Sequence, residues 1–226
     1  MSKTNRDSSR SVQERGGIIG GSSLGNFRDT PWGCRRRLAY TFLGYEPTHE
    51  KAYTPAMQLG HMFEPQMRMW ACEQLHEDIV EGPFIVHPEL PFLGGHPDGI
   101  YGANGIIEIK TANENSFRKL ARVGIYDAYK DQLTLYMGIT ERYHAQFVVG
   151  CSEDISRKFI TEFPWDQNRY DQIIETCVDF VCGLEDDVPA RCGKRQSGLT
   201  SACRRCEFRG LCLPPALREE DYNDPV

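Results

Sequence analysis

Apolar side chains recur every three or four residues along several stretches of this chain, the spacing that places them on one face of a helix. The longest such stretch covers 53–76. The same spacing predicts further helices over 34–43, 116–121, 126–139 and 166–184. A glycine-rich turn at 18–24, with a serine as N-cap, is predicted to lead into another helix.

Strand-like segments lie between the predicted helices. We predict strands over 82–88, 92–97, 99–101, 106–111, 144–151 and 156–163. The residues Gly102-Ala103-Asn104-Gly105 form the turn of a short hairpin, because an Asn-Gly pair is a strong turn signal. The order helix, strands, helix, strand, helix predicts an α/β (α+β) domain with a central mixed β-sheet flanked by helices.

The length and composition are those of an ordinary globular protein. A chain of 226 residues can form one sizeable core with a small appendage. No apolar run reaches the roughly 20 residues of a membrane span, and the N-terminus lacks an apolar signal core, so we expect a cytoplasmic protein. We expect a flexible tail over 1–14, a core over 15–190 and a cysteine-rich segment over 191–226 packed on that core.

The net charge of -6 argues against a protein that coats nucleic acid without specificity. It leaves a nuclease open, because acidic ligands lower the total while basic residues can be concentrated locally. Arg118-Lys119 with Arg122 is one such concentration, and an ordinary solvated face is the alternative.

The most informative segment is Gly94–Lys110, in which Asp98 precedes the triplet Glu108-Ile109-Lys110. Because side chains alternate along a strand, Glu108 and Lys110 point to the same face. Two carboxylates beside one lysine favour a divalent cation between the acids, and oxygen ligands suit Mg²⁺ or Mn²⁺. A hairpin with ordinary surface charges is the alternative reading of this pattern.

Two further pairs share helix faces with this chemistry. His61 and Glu64 are three residues apart and can provide a metal ligand, or can be a capping or surface pair. Gln132 and Tyr136 are four residues apart and can bind a phosphate or orient a water molecule, although such pairs are common on amphipathic helices.

A possible phosphate-binding turn lies near the N-terminus. Arg15 is followed by a glycine-rich turn that carries Ser22 and Ser23 at a helix start. Free backbone N–H groups and the helix dipole attract anions there. A plain N-cap turn is the alternative.

Cysteine is unusually frequent, and the nine residues rule out a complete set of disulfides because the number is odd. Cys34 stands alone near the start, whereas Cys203-x2-Cys206-x5-Cys212 lies near the end. Four thiolates suit tetrahedral Zn²⁺, although zinc ribbons usually present two C-x2-C pairs. Cys192 could replace one of the four. Four others fall on apolar positions that suggest core thiols: Cys72, Cys151, Cys177 and Cys182.

Several motifs in order resemble the phage λ-exonuclease/YqaJ type of recombination nuclease, within the PD-(D/E)xK superfamily. The matching pieces are Arg15 to Ser22, Gly60 to Pro65, Pro97 to Gly99, Glu108 to Lys110 and Ala128 to Met137. The resemblance implies a PD-(D/E)xK restriction-endonuclease-like core. It also implies Asp98, Glu108 and the Ile109 carbonyl as metal ligands, Glu64 as a further acid, Lys110 as the catalytic lysine, and Arg15 with Ser22 as holders of a 5′-phosphate.

A second resemblance concerns the cysteines and the histidine. Cys34, Cys203, Cys206 and Cys212 resemble the [4Fe–4S] ligands of the RecB-type nucleases, namely the AddB nuclease domain and the CRISPR-associated adaptation nucleases. In those proteins the cluster clasps the two ends of the nuclease domain. A helix histidine binds metal in the same group, so the sequence leaves open whether His61 or Glu64 is the direct ligand.

We therefore expect a DNA exonuclease of phage-type recombination or repair that uses one or two Mg²⁺ or Mn²⁺ ions and carries an iron–sulfur clasp. A single-strand nuclease of CRISPR spacer acquisition or repair is one alternative, and a DNA-binding or assembly module with a vestigial nuclease site is another. The expected partner is DNA, with a single-strand annealing protein and a homo-oligomer as further possibilities and no membrane.

Overall fold

The computed structural model describes residues 17–28, 30, 33–49, 54–184, 203 and 206–212. These residues divide into two compact units. The sheet unit contains 19–24 and 54–177. The cysteine unit contains the other described residues, among them 25–28, 33–49, 203 and 206–212. Arg15 and Cys192 lie outside the described residues, and so do the predictions made for them.

The helices agree with the predicted ones to within a few residues. A 3₁₀ helix, η1, covers Gly21–Phe27. The α-helices are α1 (Arg35–Phe42), α2 (Pro55–Leu75), α3 (Glu114–Val123), α4 (Asp127–Thr140), α5 (Gln167–Gly183) and α6 (Arg209–Cys212). No helix in the described part of the chain is both long and apolar enough to cross a membrane.

The helix starts follow from local chemistry. The Thr54 hydroxyl accepts a hydrogen bond from the Met57 N–H at the start of α2, 3.3 Å away. The Asn113 side chain accepts from the Ser116 N–H in the same way at the start of α3, at 2.9 Å. Helix α2 continues through Pro65, which has no N–H to offer to the preceding turn.

The strands are β1 (Ile79–Val80), β2 (Ile85–Val86), β3 (Gly94–Gly95), β4 (Gly99–Tyr101), β5 (Gly105–Ala112), β6 (His144–Cys151) and β7 (Lys158–Pro164). Five of them form one sheet in the order β1-β4-β5-β6-β7. The β5–β6 pair is parallel and the other three pairs are antiparallel, which confirms the predicted mixed sheet.

Two of the predicted strands were too long. The segments 82–88 and 92–97 contribute only the dipeptides β2 and β3, which pair with each other in a separate two-stranded sheet. Pro83, Pro88 and Pro97 lie in these segments, and a proline cannot donate to a strand ladder. The short β1, which pairs with β4, was missed because two residues are too few to show a period.

The two faces of β5 have different neighbours in the sheet unit. Ile107 and Ile109 are buried against Met67 and Ala71 of α2. Because successive side chains of a strand point to opposite faces, Glu108 and Lys110 lie on the face that does not meet α2. On that other face, Tyr129 of α4 packs against Phe147, the neighbour of Glu108 on β6, with the ring centroids 5.3 Å apart.

The cysteine unit is held by a small set of contacts. The Arg37 guanidinium donates from Nε and Nη2 to the two oxygens of the Glu207 carboxylate, at 2.9 and 3.1 Å. The Tyr40 ring lies 5.4 Å from the ring of Phe208. The Thr48 N–H donates to the Glu207 carbonyl at 2.8 Å. These contacts attach the segment around 206–212 to α1 and to the loop that follows it.

Candidate active site

The β4–β5 hairpin brings Asp98 next to the Glu108-Ile109-Lys110 triplet. Gly99 pairs with Ile107, so the residue before β4 lies beside the middle of β5. The Asp98 carboxylate accepts a hydrogen bond from the backbone N–H of Ile109 at 2.6 Å. This bond fixes one Asp98 oxygen against the strand that carries Glu108 and Lys110.

Glu108 is a fully buried carboxylate with one oxygen left over. Its Oε1 binds the Lys110 ammonium, while its Oε2 has no hydrogen-bond partner among the described residues. Burial, followed by the nearby Asp98 charge, raises the pKa of Glu108 to about 8, against the opposing effect of Lys110. A buried carboxylate with an unused oxygen is costly unless a cation meets it.

Lys110 is surrounded by oxygen atoms and one aromatic ring. Its ammonium lies 3.8 Å from Asp98 Oδ2 and donates to the Ile109 carbonyl at 3.3 Å. It also lies 5.7 Å from the centroid of the Tyr129 ring, within the range of a cation–π contact. Burial acts to lower the pKa of Lys110, but the Glu108 and Asp98 carboxylates together raise it, so the lysine is positively charged.

Glu64 reaches the same acidic group from α2. Burial and the Asp98 charge raise the pKa of Glu64, and Arg68 opposes this rise. The Arg68 guanidinium binds Glu64 Oε1 at 2.6 Å and donates from Nε to the Asp98 carbonyl at 3.0 Å. His61 is exposed, and its charge acts to lower the pKa of Glu64. The structure therefore places Glu64, and not His61, in the partly buried position.

Gln132 and Tyr136 are both buried on α4. Burial, and then the charges of Glu108 and Asp98, raise the pKa of the Tyr136 phenol. A Cβ at Gly21 would lie 2.7 Å from Gln132 Cγ and 2.9 Å from Tyr136 Cζ. A Cβ at Gly95 would lie 2.5 Å from the Tyr136 hydroxyl. Two glycines thus let η1 and β3 approach the side chains of α4.

The start of η1 is adjacent to these side chains. Gly21 begins the helix, and Ser22 and Ser23 follow it directly. The Ser23 N–H donates to the Gly20 carbonyl at 2.8 Å, which closes the first turn. The two serines predicted to bind phosphate therefore lie next to the Gln132–Tyr136 pair through Gly21.

No group of three or more His, Cys, Asp or Glu side chains in the described part of the chain is arranged to hold a metal ion. The donor chemistry of the site nevertheless fits a hard divalent cation. Glu108 presents an unused oxygen, and the charge of Asp98 raises the pKa of both Glu64 and Glu108. A divalent cation would offset this repulsion.

The cysteine unit brings part of the predicted cluster together. Cys34 is the N-cap of α1, where its sulfur accepts from the Arg37 N–H at 3.4 Å. Burial, followed by the Glu207 charge, raises the pKa of Cys206 to about 11, and Cys34 is near enough to add to the rise. Cys203 and Cys212 are half-buried on the same short segment, where the Cys206 N–H donates to the Cys203 carbonyl at 3.1 Å. These sulfurs are not grouped as a metal site in the described residues.

The other thiols divide between core and surface. Cys151 and Cys177 are buried, as predicted. Cys72 is half-buried, and Cys182 is exposed, so the prediction of a core position for Cys182 was wrong. Its place near the C-terminal end of α5 explains the error, because apolar periodicity weakens where a helix ends.

Sequence reasoning missed two residues that touch the site. Arg68 stands four residues after Glu64, a spacing at which an acid and a base meet on one helix face, so its signal was present in the sequence. Tyr129 is recognisable only from the tertiary structure, because its contact with Lys110 joins α4 to β5.

The sequence is similar to a known protein family. Residues 12–143 match the model of the YqaJ-like viral recombinase domain, which is more than half of the chain. The chain belongs to the YqaJ-like viral recombinase domain family. No curated protein matches it.

Solved structures with similar folds include exonucleases. An alkaline exonuclease (LHK-Exo) from Laribacter hongkongensis superposes with a TM-score of 0.67 at 24% identity, covering 77% of this chain and 91% of the other. The same enzyme in complex with dAMP gives a TM-score of 0.66 at 24% identity, covering 76% and 89%. A phage related exonuclease from Haemophilus somnus 129PT gives 0.56 at 15% identity, covering 72% and 91%. At these identities the likeness shows a common fold.

Proposed function

We propose that this YqaJ-family protein is a metal-dependent DNA exonuclease that hydrolyses phosphodiester bonds of linear DNA in phage-type recombination. The observation that carries the proposal is the placement of Asp98, Glu108 and Lys110 on one hairpin, with the buried Glu108 presenting an unused oxygen. The exonucleases with a similar fold support the same activity.

One or two Mg²⁺ or Mn²⁺ ions would be bound by Asp98, Glu108, the Ile109 carbonyl and Glu64. Such ions polarise a phosphoryl oxygen and lower the pKa of bound water. Glu64 is the more suitable helix ligand because it is partly buried beside Asp98, whereas His61 is exposed. Arg68 orients Glu64 and the Asp98 backbone at the same time.

The other side chains act on the phosphate and on the water molecule. Lys110 carries a positive charge beside Asp98 and Glu108, so it can orient the attacking water and stabilise charge on the phosphoryl oxygens. The Gln132 amide and the Tyr136 phenol can donate to the scissile or the adjacent phosphate. The Gln132 and Tyr136 side chains are held in place by burial, which limits the reorganisation needed at the transition state.

Ser22 and Ser23 would receive the 5′-phosphate of the DNA end at the start of η1, together with Arg15, which lies outside the described residues. The nearness of this turn to Tyr136 supports the proposal, because a terminal phosphate there would lie close to the first phosphodiester. A single-strand annealing partner and a homo-oligomer stay predictions.

The test compares linear duplexes with 5′-phosphate and 5′-hydroxyl ends, in Mg²⁺ and in Mn²⁺, by release of labelled nucleotides. We expect cleavage that requires a divalent ion, a preference for the phosphorylated end, and loss of that preference in Arg15→Ala. Circular duplex without ends is the control substrate. Cleavage of the circle at the same rate would contradict an exonuclease, and binding without any cleavage would favour a vestigial site.

We also propose that Cys34, Cys203, Cys206 and Cys212 bind a [4Fe–4S] cluster, with zinc as the alternative ion. The nearness of Cys34 to Cys206 supports this proposal, while the described sulfurs do not themselves form a ligand group. Protein purified without oxygen should contain about four irons per chain and absorb broadly in the visible range. One zinc per colourless chain would assign the site to zinc.

A further inference from the structure

The outward face of α3 carries three basic residues. Phe117 and Leu120 are the buried residues of α3, whereas Arg118, Lys119 and Arg122 are exposed. Arg122 is three residues from Lys119 and four from Arg118, so like charges are neighbours on the helix surface. Such pairs reduce the stability of a helix.

The chain around α3 has few acidic residues. Between 110 and 130 the chain has five basic and two acidic residues, although the whole protein has a net charge of -6. Both acids already have cationic partners. Glu114 binds Arg157 at 2.5 Å as well as Arg118, and Asp127 lies 3.4 Å from Arg169 and 3.7 Å from Lys130.

Aromatic rings connect this positive face to the active site. Tyr126 and Tyr129 stack with their centroids 5.9 Å apart and their planes 26° apart. The Lys119 ammonium lies 5.3 Å from the centroid of Tyr126, and the Lys110 ammonium lies 5.7 Å from that of Tyr129. Two stacked rings therefore connect the site lysine to the Lys119 ammonium of α3.

The Tyr126 side chain does not take part in capping α4. It is the N-cap residue of α4, but its side chain makes no capping hydrogen bond. Ser, Thr, Asp and Asn are the residues that usually provide that bond. A half-buried ring at this point offers stacking area at the edge of the basic face.

We propose that Lys119, Arg122, Tyr126 and Tyr129 form a strand-binding face that holds single-stranded DNA next to the cleaved phosphodiester. The α3 cations would meet the phosphates, and the edge or face of Tyr126 would meet an unpaired base. Basic side chains interleaved with aromatic rings bind single strands in this way, whereas a duplex keeps its base faces covered. This inference rests on the proposed function in that DNA is taken as the substrate.

The experiment measures the binding of single-stranded DNA to the full-length protein. EDTA is present to remove divalent ions, so that cleavage that requires them does not occur. The probes are a fluorescein-labelled oligothymidylate of about 12 nucleotides and its abasic counterpart. Fluorescence anisotropy at several salt concentrations gives the affinity and its salt dependence. The variants are Lys119→Gln, Tyr126→Leu and Tyr126→Phe.

Lys158→Gln is the matched control for Lys119→Gln. The Lys158 ammonium also lies over an aromatic ring, 5.5 Å from the centroid of Trp70. Trp70 belongs to α2, which packs on the face of β5 opposite to Lys110. The two substitutions therefore remove the same charge and the same kind of contact from opposite faces of the sheet.

We expect Lys119→Gln to reduce the slope of log K against log salt by about 0.7, the value for one phosphate contact on a single strand. Lys158→Gln should leave the slope unchanged. Tyr126→Leu should weaken binding of oligothymidylate about 10-fold and leave the abasic probe unaffected, because stacking needs a base. Tyr126→Phe keeps the ring and should bind like the wild type.

Equal effects of Lys119→Gln and Lys158→Gln would overturn the proposal, and so would a Tyr126→Leu effect of the same size on both probes. Melting curves should show every variant folded at the assay temperature, since the substituted side chains are exposed or half-buried. If the wild type fails to cleave DNA but these binding differences appear, the exonuclease proposal falls and the strand-binding face stands. If it cleaves and every variant binds like the wild type, the face alone is rejected.

Discussion

Gly21→Ala perturbs the contact between η1 and the two polar side chains of α4. The added Cβ would lie 2.7 Å from Gln132 Cγ and 2.9 Å from Tyr136 Cζ, closer than side-chain atoms can pack. Gln132 and Tyr136 are 5% and 3% exposed, so neither has solvent into which to move. Forcing one methyl group into such packing costs about 1–3 kcal/mol of unfolding free energy.

Gly20→Ala is the matched control, because its Cβ would meet the Gly94 carbonyl at an ordinary 3.5 Å. Neither Gly20 nor Gly21 has the left-handed backbone that favours glycine, so the comparison isolates side-chain crowding. Each kcal/mol corresponds to about 2–4 °C in melting temperature for a chain of this size. We therefore expect a drop of several degrees for Gly21→Ala and a change within about 0.5 kcal/mol for Gly20→Ala.

The same displacement of Gln132 and Tyr136 should also lower the rate of DNA cleavage. A shift of about 1 Å in a positioning group can reduce turnover about 10²-fold, so Gly21→Ala should lose 10-fold or more in the cleavage rate, measured at a temperature where both variants are folded. Melting curves by circular dichroism and cleavage of a labelled linear duplex provide the two measurements. Equal melting temperatures and equal rates for the two variants would refute the reasoning that η1 packs directly on Gln132 and Tyr136.

Other expectations follow from the acidic group. Asp98→Ala and Lys110→Ala should each lower cleavage by at least about 10²-fold while DNA binding persists, and full activity of Lys110→Ala in Mg²⁺ would contradict the proposed role. Arg68→Gln should destabilise the protein in EDTA by about 1–3 kcal/mol through its contacts with Glu64 and the Asp98 carbonyl. A double-mutant cycle with Glu64→Gln should show coupling, and strict additivity would reject it. Because the pKa of Glu108 is raised from 4.5 to about 8, the folded protein holds a proton that the unfolded chain releases, so stability in EDTA should fall as the pH rises through that range. Glu108→Gln should flatten this fall in denaturant melts, and an unchanged pH profile would refute its origin in Glu108.

Local sequence determined most of the elements. Helix α2 follows from an apolar stripe after a Thr-Pro start. Strand β6 matches its predicted bounds at His144–Cys151, where Phe147, Val148 and Val149 favour a strand. The strands predicted over 82–88 and 92–97 failed because strand length depends on a partner ladder, and prolines interrupt the donors on both sides.

The sequence likewise predicted some relations within the candidate site, whereas others needed the tertiary structure. Spacing alone put Glu108 with Lys110 on one strand face and Gln132 with Tyr136 on one helix face, since both relations follow from the period of a single element. The hydrogen bond from the Ile109 N–H to Asp98 needed the hairpin register, and the Lys110–Tyr129 contact needed α4 packed over β5. A period describes neighbours along one element, whereas these contacts join elements whose distance in space is decided only when the core closes.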